Sequence, residues 1–166
     1  MCKKLAFILS AAFLMLLSSD RVQAQKAFEQ GRIVGTAGLL LESNATPVTI
    51  AVEYGVTDEI GVAGKVVYQS SKGYSAYSLG VLGNYHLAKA FSVTGNKFDP
   101  FLGIHIGKPF ASRDGRTASG SVFAGAQLGA RYLVNERIGP YAQLNLGLVN
   151  SAGSSFELGA AFKFGN

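Results

Sequence analysis

The chain has one cysteine, Cys2, and no tryptophan, and Lys, Arg, Asp and Glu make up only 15% of its 166 residues, against roughly 25% in ordinary globular domains. A single cysteine excludes an internal disulfide, and no cysteine–histidine cluster has metal-ligand spacing. A lipid-anchoring cysteine would have to follow the apolar N-terminal stretch, where Gln25 stands instead. After residue 24 there is no long uninterrupted apolar run. No later segment therefore offers the roughly 20 apolar residues that a membrane-crossing helix needs. If the remainder enters a membrane, it must do so as closed β-structure.

Glycine and aromatics are plentiful. There are 21 Gly, 7 Tyr and 11 Phe, and 48% of residues are hydrophobic. Such a chain is too apolar and too weakly charged to stay disordered. Its length holds one domain.

Residues 1–24 read as a secretory signal peptide. Lys3 and Lys4 form a positive start, Leu5 to Leu17 an apolar stretch, and Val22-Gln23-Ala24 places small residues at the −3 and −1 positions of a cleavage site before Gln25. The net charge of +5 suggests a nucleic-acid partner at first sight. Removing the segment takes away Lys3, Lys4, Arg21 and Asp20, a net +2, and leaves +3. The remaining cations are scattered rather than striped, which excludes a nucleic-acid footprint.

Residues 25–166 show period-2 alternation broken by turn residues. Val48, Ile50, Val52, Tyr54 and Val56 alternate with Thr49, Ala51, Glu53 and Gly55, and similar faces recur to the closing Phe156, Leu158, Ala160, Phe162 and Phe164. Eight strands of about nine to eleven residues are expected, the length that crosses a bilayer at the usual tilt. Pro47, Pro100 and Pro140 are expected at strand starts and Pro109 in a loop. An even strand number puts both ends on one side. Turns at 57–59, 88–98 and 135–139 then face the periplasm, the second of them long for that side, and loops at 42–46, 69–74, 108–120 and 149–154 face outward. Tyr54, Tyr85, Tyr132, Phe162 and Phe164 fall at periplasmic strand ends and Tyr68 and Tyr77 at external ends, as two interfacial aromatic belts.

The other face carries Arg32, Glu53, Lys65, His86, His105, Arg131, Glu157 and Lys163. Eight strands enclose an interior narrow enough for side chains to fill, so these charges are expected to pair into a plug. Pairing near residue sum 118 would set Glu53 against Lys65. Register across the 88–98 connection sets His105 opposite about residue 81, on the order of 16 Å from His86, too far for one metal ion to bridge. No serine in the outer loops has a histidine base, so neither catalysis nor a cofactor is expected. Lys108, Arg113 and Arg116 in the 108–120 loop are candidate contacts for lipopolysaccharide phosphates.

Tyr54-Gly55-Val56-Thr57-Asp58-Glu59-Ile60-Gly61-Val62, Gly83-Asn84-Tyr85-His86-Leu87, Asp99-Pro100-Phe101-Leu102-Gly103 and Phe162-Lys163-Phe164 resemble the small outer-membrane β-barrel proteins common in Bacteroidetes. The resemblance implies location and fold more than activity. The expectation is an all-β protein: an eight-stranded antiparallel up-and-down transmembrane β-barrel over residues 25–166 behind a signal peptide. It would sit in the outer membrane, non-enzymatic, with a structural or surface-interaction role. Its partners would be outer-membrane lipid and lipopolysaccharide, with the barrel-assembly machinery acting during biogenesis. Two other readings stand beside it: a small transport barrel for ions or hydrophobic molecules, and a soluble periplasmic lipocalin-like binder with the apolar face inside.

Overall fold

A computed structural model describes residues 27–42, 46–88, 97–135, 137–150 and 153–164. The signal peptide expected over 1–24 and most of the turn expected at 88–98 lie outside them. Every regular element among the described residues is a strand: β1 Ile33–Leu41, β2 Val48–Gly55, β3 Ile60–Ser71, β4 Tyr74–His86, β5 Phe98–Arg113, β6 Arg116–Ser119, β7 Phe123–Tyr132, β8 Ile138–Val149 and β9 Ser154–Phe164.

Eight of the nine form a closed antiparallel barrel. Each of β1 to β5 pairs with the next, β5 pairs with β7, and β7 to β9 continue in order. The ladder between β1 and β9, with Ile33 opposite Phe164, closes the ring and leaves no free edge along its length. The first and last strands thus meet at one end, here called proximal; the other end is distal.

β6 is the ninth strand and lies outside the ring. The loop expected at 108–120 is instead a hairpin: β5 runs on to Arg113, turns through Asp114 and Gly115, and returns as β6. Both turn residues have positive φ, 50° and 76°, the backbone that a tight two-residue hairpin demands and that Asp-Gly accepts. Pro109, expected in a loop, therefore sits inside β5. It falls where the partner of β5 changes from β7, at Gly107–Phe123, to β6, at Phe110–Ser119. A residue without an N–H costs least at such a break. Pro47 precedes β2, and Pro100 and Pro140 are the third residues of β5 and β8. The loop expected at 69–74 shrinks to Lys72-Gly73 between β3 and β4.

The apolar faces point outward. Val48, Ile50, Val52 and Tyr54 on β2 are all exposed, and Ile104 and Leu148 are each 69% exposed. Their alternate neighbours Thr49, Glu53, Gln127 and Gln143 are buried inside. A soluble lipocalin-like barrel would have the reverse arrangement, so that reading is overturned. Of the expected belts, Tyr54, Tyr85, Tyr132 and Phe164 are exposed at the proximal end and Tyr68 and Tyr77 toward the distal end. Phe162 is only half-exposed.

The abundance of glycine has a geometric cause. Large inward side chains lie flat over glycines on the neighbouring strand. A Cβ on Gly129 would stand 2.6 Å from the Phe101 ring, and one on Gly125 would stand 2.5 Å from His105 Nε2. An eight-stranded ring has no room for both.

Candidate functional site

The interior divides into two halves. In the proximal half, β2, β4, β5 and β7 aim Glu53, His86, Asp99 and Arg131 at one point. The Arg131 guanidinium is held between two carboxylates, with Nη2 2.6 Å from Glu53 Oε2 and Nε 2.6 Å from Asp99 Oδ2. The second is an ion-pair distance whose N–H is not directed along a hydrogen bond. His86 spans the same two acids, with Nδ1 2.9 Å from Asp99 Oδ1 and Nε2 3.2 Å from Glu53 Oε1. All four side chains are buried, Asp99 fully. Such a cluster holds together only because each charge meets an opposite charge in good geometry.

Hydrogen bonds carry the network up the barrel. Asn84 Nδ2 donates to Glu53, Gln127 donates to Asn84, and Gln143 donates to Gln127 and to Asn145. Asn145 reaches Glu157 at 3.4 Å. Thr49 and the Tyr141 hydroxyl donate to Glu157 Oε1, at 2.7 and 2.6 Å, and Lys65 pairs with Glu157 Oε2. The cavity left within this layer is about 30 Å³, room for about one water molecule.

This corrects the expected Glu53–Lys65 contact. Glu53 lies opposite Ala63 and Lys65 opposite Ala51, two residues away from the predicted register. The turn at 57–59 centres the ladder on residue 58, a residue sum of 116 rather than 118, and Thr57 Oγ1 braces it by accepting from the backbone N–H of Glu59 and Ile60 at 3.1 and 2.9 Å. That side-chain bond closes a tight turn, and the ladder starts at Gly55–Gly61. Lys65 then finds Glu157 on β9, and Glu53 finds Arg131 on β7.

The remaining sequence candidates are placed as follows. Lys163 is buried on β9 and pairs with Glu29 at 3.1 Å. Arg32, expected in the interior, sits half-exposed ahead of β1 and pairs with the same Glu29 at 2.9 Å. Burial alone would raise the Glu29 carboxyl, but Lys163 and Arg32 outweigh it and hold it below the usual carboxylate range. His105 points inward, packs edge-on against Phe123 at 5.9 Å, and stays out of the ionic cluster. Its register partner on β4 is Leu82, while that of His86 on β5 is Phe101. Among the described residues no group of three His, Cys, Asp or Glu side chains is arranged to hold a metal ion; Glu53, His86 and Asp99 are committed to one another and to Arg131.

Two contributors in direct contact with His86 and Arg131 were not read from the sequence. Asp99 is one; it belongs to the Asp99-Pro100-Phe101 segment, whose proline and adjoining turn hid its inward direction. Phe28 is the other. It precedes β1, is buried, and stacks on the His86 ring with centroids 3.4 Å apart and planes 12° from parallel. The Arg131 guanidinium carbon lies 5.7 Å from the Phe28 ring and 5.2 Å from that of Phe101, within cation–π reach. The backbone beside Phe28 is tied down by Gly31 N–H to Gly55 O and Gly55 N–H to Arg32 O, at 2.8 and 2.9 Å. The segment folds back and stoppers the proximal end.

The distal half is different. Above the Lys65–Glu157 layer a cavity of about 630 Å³ opens at the distal end. The expectation of an interior filled by side chains thus holds only below that layer. The inward residues above it, such as Ala76, Ser78, Gly80 and Gly107, are too small to meet across the barrel.

A closed eight-stranded barrel with apolar residues outside and an ionic layer within is the architecture of small outer-membrane barrels. No protein-family model matches the chain, and no curated protein sequence does. Among solved structures it is similar to the N-terminal β-barrel domain of Pseudomonas aeruginosa OprF, at 16% identity and TM-score 0.65 over 81% of this chain and 98% of that one. It is also similar to the outer-membrane protein OprG of the same organism, at 12% identity and TM-score 0.59 over 84% and 98%. A de novo designed transmembrane β-barrel matches at 12% identity and TM-score 0.58 over 86% and 100%. These likenesses establish the fold. They lend no support to an origin in Bacteroidetes.

Proposed function

We propose that this chain is an integral outer-membrane β-barrel with a structural or surface-interaction role, that its proximal half is closed to ions, and that it performs no catalysis. The observation that carries this reading is the continuous apolar exterior of a ring whose polar groups are gathered inside. In lipid every backbone polar group must be paired internally, and closure of β1 on β9 does so along the ring. The termini would face the periplasm and the β5–β6 hairpin the exterior, the longer connection lying outside as in other barrels of this type.

The test is fractionation followed by electrophoresis and bilayer recording. The protein is expected in the detergent-extracted outer membrane, with migration that changes on boiling and no stepwise conductance across a planar bilayer. Recovery without detergent would overturn the membrane assignment, and regular conductance steps would overturn the closed proximal half.

Outer-membrane lipid and lipopolysaccharide are the partners this reading implies, with the barrel-assembly machinery acting during biogenesis. Arg113 and Arg116 face each other across the hairpin and both are exposed. Like charges directly opposite repel, and the neighbouring Asp114 reaches Arg113 only at 3.8 Å with both side chains in solvent. A phosphate between the two arginines would relieve the repulsion through paired N–H donors. Lys108, lower on β5 beside Phe110 at 5.9 Å, adds a third cation. Changing Lys108, Arg113 and Arg116 together to Ser is expected to lower lipopolysaccharide affinity about tenfold. Unchanged binding on an immobilised lipopolysaccharide surface would dispose of the contact.

A further inference from the structure

The distal cavity opens above the Lys65–Glu157 layer between two unlike walls. The wall from β8 through β9 to β1 is mostly polar, with Asn150, Ser154, Ser155 and Glu42. The wall from β3 to β7 is mostly apolar, with Val67, Ala76, Pro109 and Phe123, interrupted by Gln69 and Ser78. Its floor is polar, with Lys65, His105, Gln127 and Asn145. A volume of about 630 Å³ lies within the range of small-molecule sites, roughly 300–1,000 Å³. In the apolar wall the Phe123 ring lies over Gly107, and on the floor the His105 ring lies over Gly125.

The floor's charge identifies the ligand class. Lys65 is its only full cation among the described residues, and the Glu157 carboxylate already neutralises it. A bound anion would have to compete with that buried carboxylate, and at the mouth it would meet Glu42. A cation would find no uncompensated acid on the floor. An uncharged head can exchange hydrogen bonds with His105, Gln127 and Asn145 at no such cost, while its apolar body lies along Val67 and Phe123.

We propose that the distal cavity binds small uncharged amphiphiles: a hydroxyl or amide head on the polar floor and a short chain or ring along the apolar wall. This goes beyond location and role, and holds whichever compartment the open end faces. The walls distinguish such a site from a simple void, since an apolar wall facing a polar wall above a polar floor matches the two-sided polarity of one kind of molecule. The floor is closed below, so the amphiphile enters and leaves by the mouth.

The experiment uses the full mature chain in phosphatidylcholine nanodiscs, photolabelled with a diazirine-bearing octanol and, separately, with the matching octanoate. Labelled residues are mapped by mass spectrometry. Val67 faces the cavity, whereas its neighbour Val66 faces outward, so adjacent positions separate cavity binding from contact by probe dissolved in lipid. The alcohol is expected to label Val67, Ala76 and Phe123, and the octanoate to label them about tenfold less. Filling the cavity with Val67→Trp is expected to abolish labelling at Phe123 while leaving labelling at outward Leu79 unchanged. Ala76→Trp gives the same test should Val67→Trp fail to show boiling-sensitive migration. Labelling confined to outward residues would overturn the site, as would labelling of Phe123 that survives both tryptophans. Stronger interior labelling by the octanoate would overturn the ligand class. Failure to fractionate with membranes would strike the proposed location and leave these outcomes readable in the purified protein.

Discussion

Replacing Arg131 with Met is expected to destabilise the barrel by about 3–5 kcal/mol, the usual cost of removing one partner from a buried ionic cluster. Methionine keeps much of the volume but strips Glu53 and Asp99 of the guanidinium that lies 2.6 Å from each. Only His86 then faces both carboxylates, and one imidazolium cannot neutralise two acids. The loss arises from stranded charge rather than from a missing attraction. Neutralising the acids as well should therefore restore stability. The triple variant Arg131→Met, Glu53→Gln, Asp99→Asn is expected to recover most of what the single change loses, because a fully neutral core is often no worse than an ionic one. Urea unfolding in detergent micelles, followed by tyrosine fluorescence and migration on gels, measures both. A single variant within about 1 kcal/mol of the parent would show that water, rather than Arg131, compensates the acids.

The outcome matters beyond stability. Asp99, Glu53, His86 and Arg131 resemble a catalytic constellation, since acid, base and cation are in direct contact. Every one of them is buried, however, and each nitrogen of His86 is already committed to a carboxylate. No nucleophilic hydroxyl or thiol stands within the cluster among the described residues. The arrangement fixes shape, each of its four charged groups being paired with another of them.

What the chain shows before folding and what it conceals separate along physical lines. The period of two in Val48–Gly55 and its successors sorts the side chains into two faces but leaves open which one lies inside, and the structure turns the apolar face outward. Partners across the barrel are another matter. Glu53 and Arg131 are 78 residues apart and Lys65 and Glu157 are 92 apart, and their meeting depends on how the ring closes. Even the local Glu53–Lys65 expectation failed, because a turn at 57–59 centres the ladder on residue 58 and sets Glu53 against Ala63. The projecting hairpin was legible in principle, because Asp114-Gly115 is a strong two-residue turn signal. It was obscured by Pro109, which argues against a strand everywhere except at a change of partner. The cavity was also written in residue size: inward positions near the distal end include Ala76, Ser78, Gly80 and Gly107, whereas those near the proximal end include Phe101, Arg131 and Tyr141. Phe28 had no such signal. It lies outside any alternating segment, and only the folded ring gives it a place to go.

That stopper carries the second large effect. Phe28→Ala is expected to lower stability by about 3–5 kcal/mol, the range for deleting a fully buried phenyl ring. The ring is 5% exposed, and its removal takes away the His86 stack, the face offered to Arg131 and packing against Val34, Tyr141 and Ala161. The proximal end would then admit water to the Arg131 cluster, weakening the ion pairs that burial strengthens. A leucine at the same position separates the two contributions. Phe28→Leu keeps most of the apolar burial and is expected to cost less than about 1.5 kcal/mol, yet it cannot stack. The His86 ring protons should therefore lose their upfield ring-current shift in nuclear magnetic resonance spectra of both variants, while the temperature at which migration changes falls steeply only for Phe28→Ala. If the His86 resonances stay in place in both, Phe28 does not occupy the barrel end, and the closed proximal half must rest on the ionic layer alone.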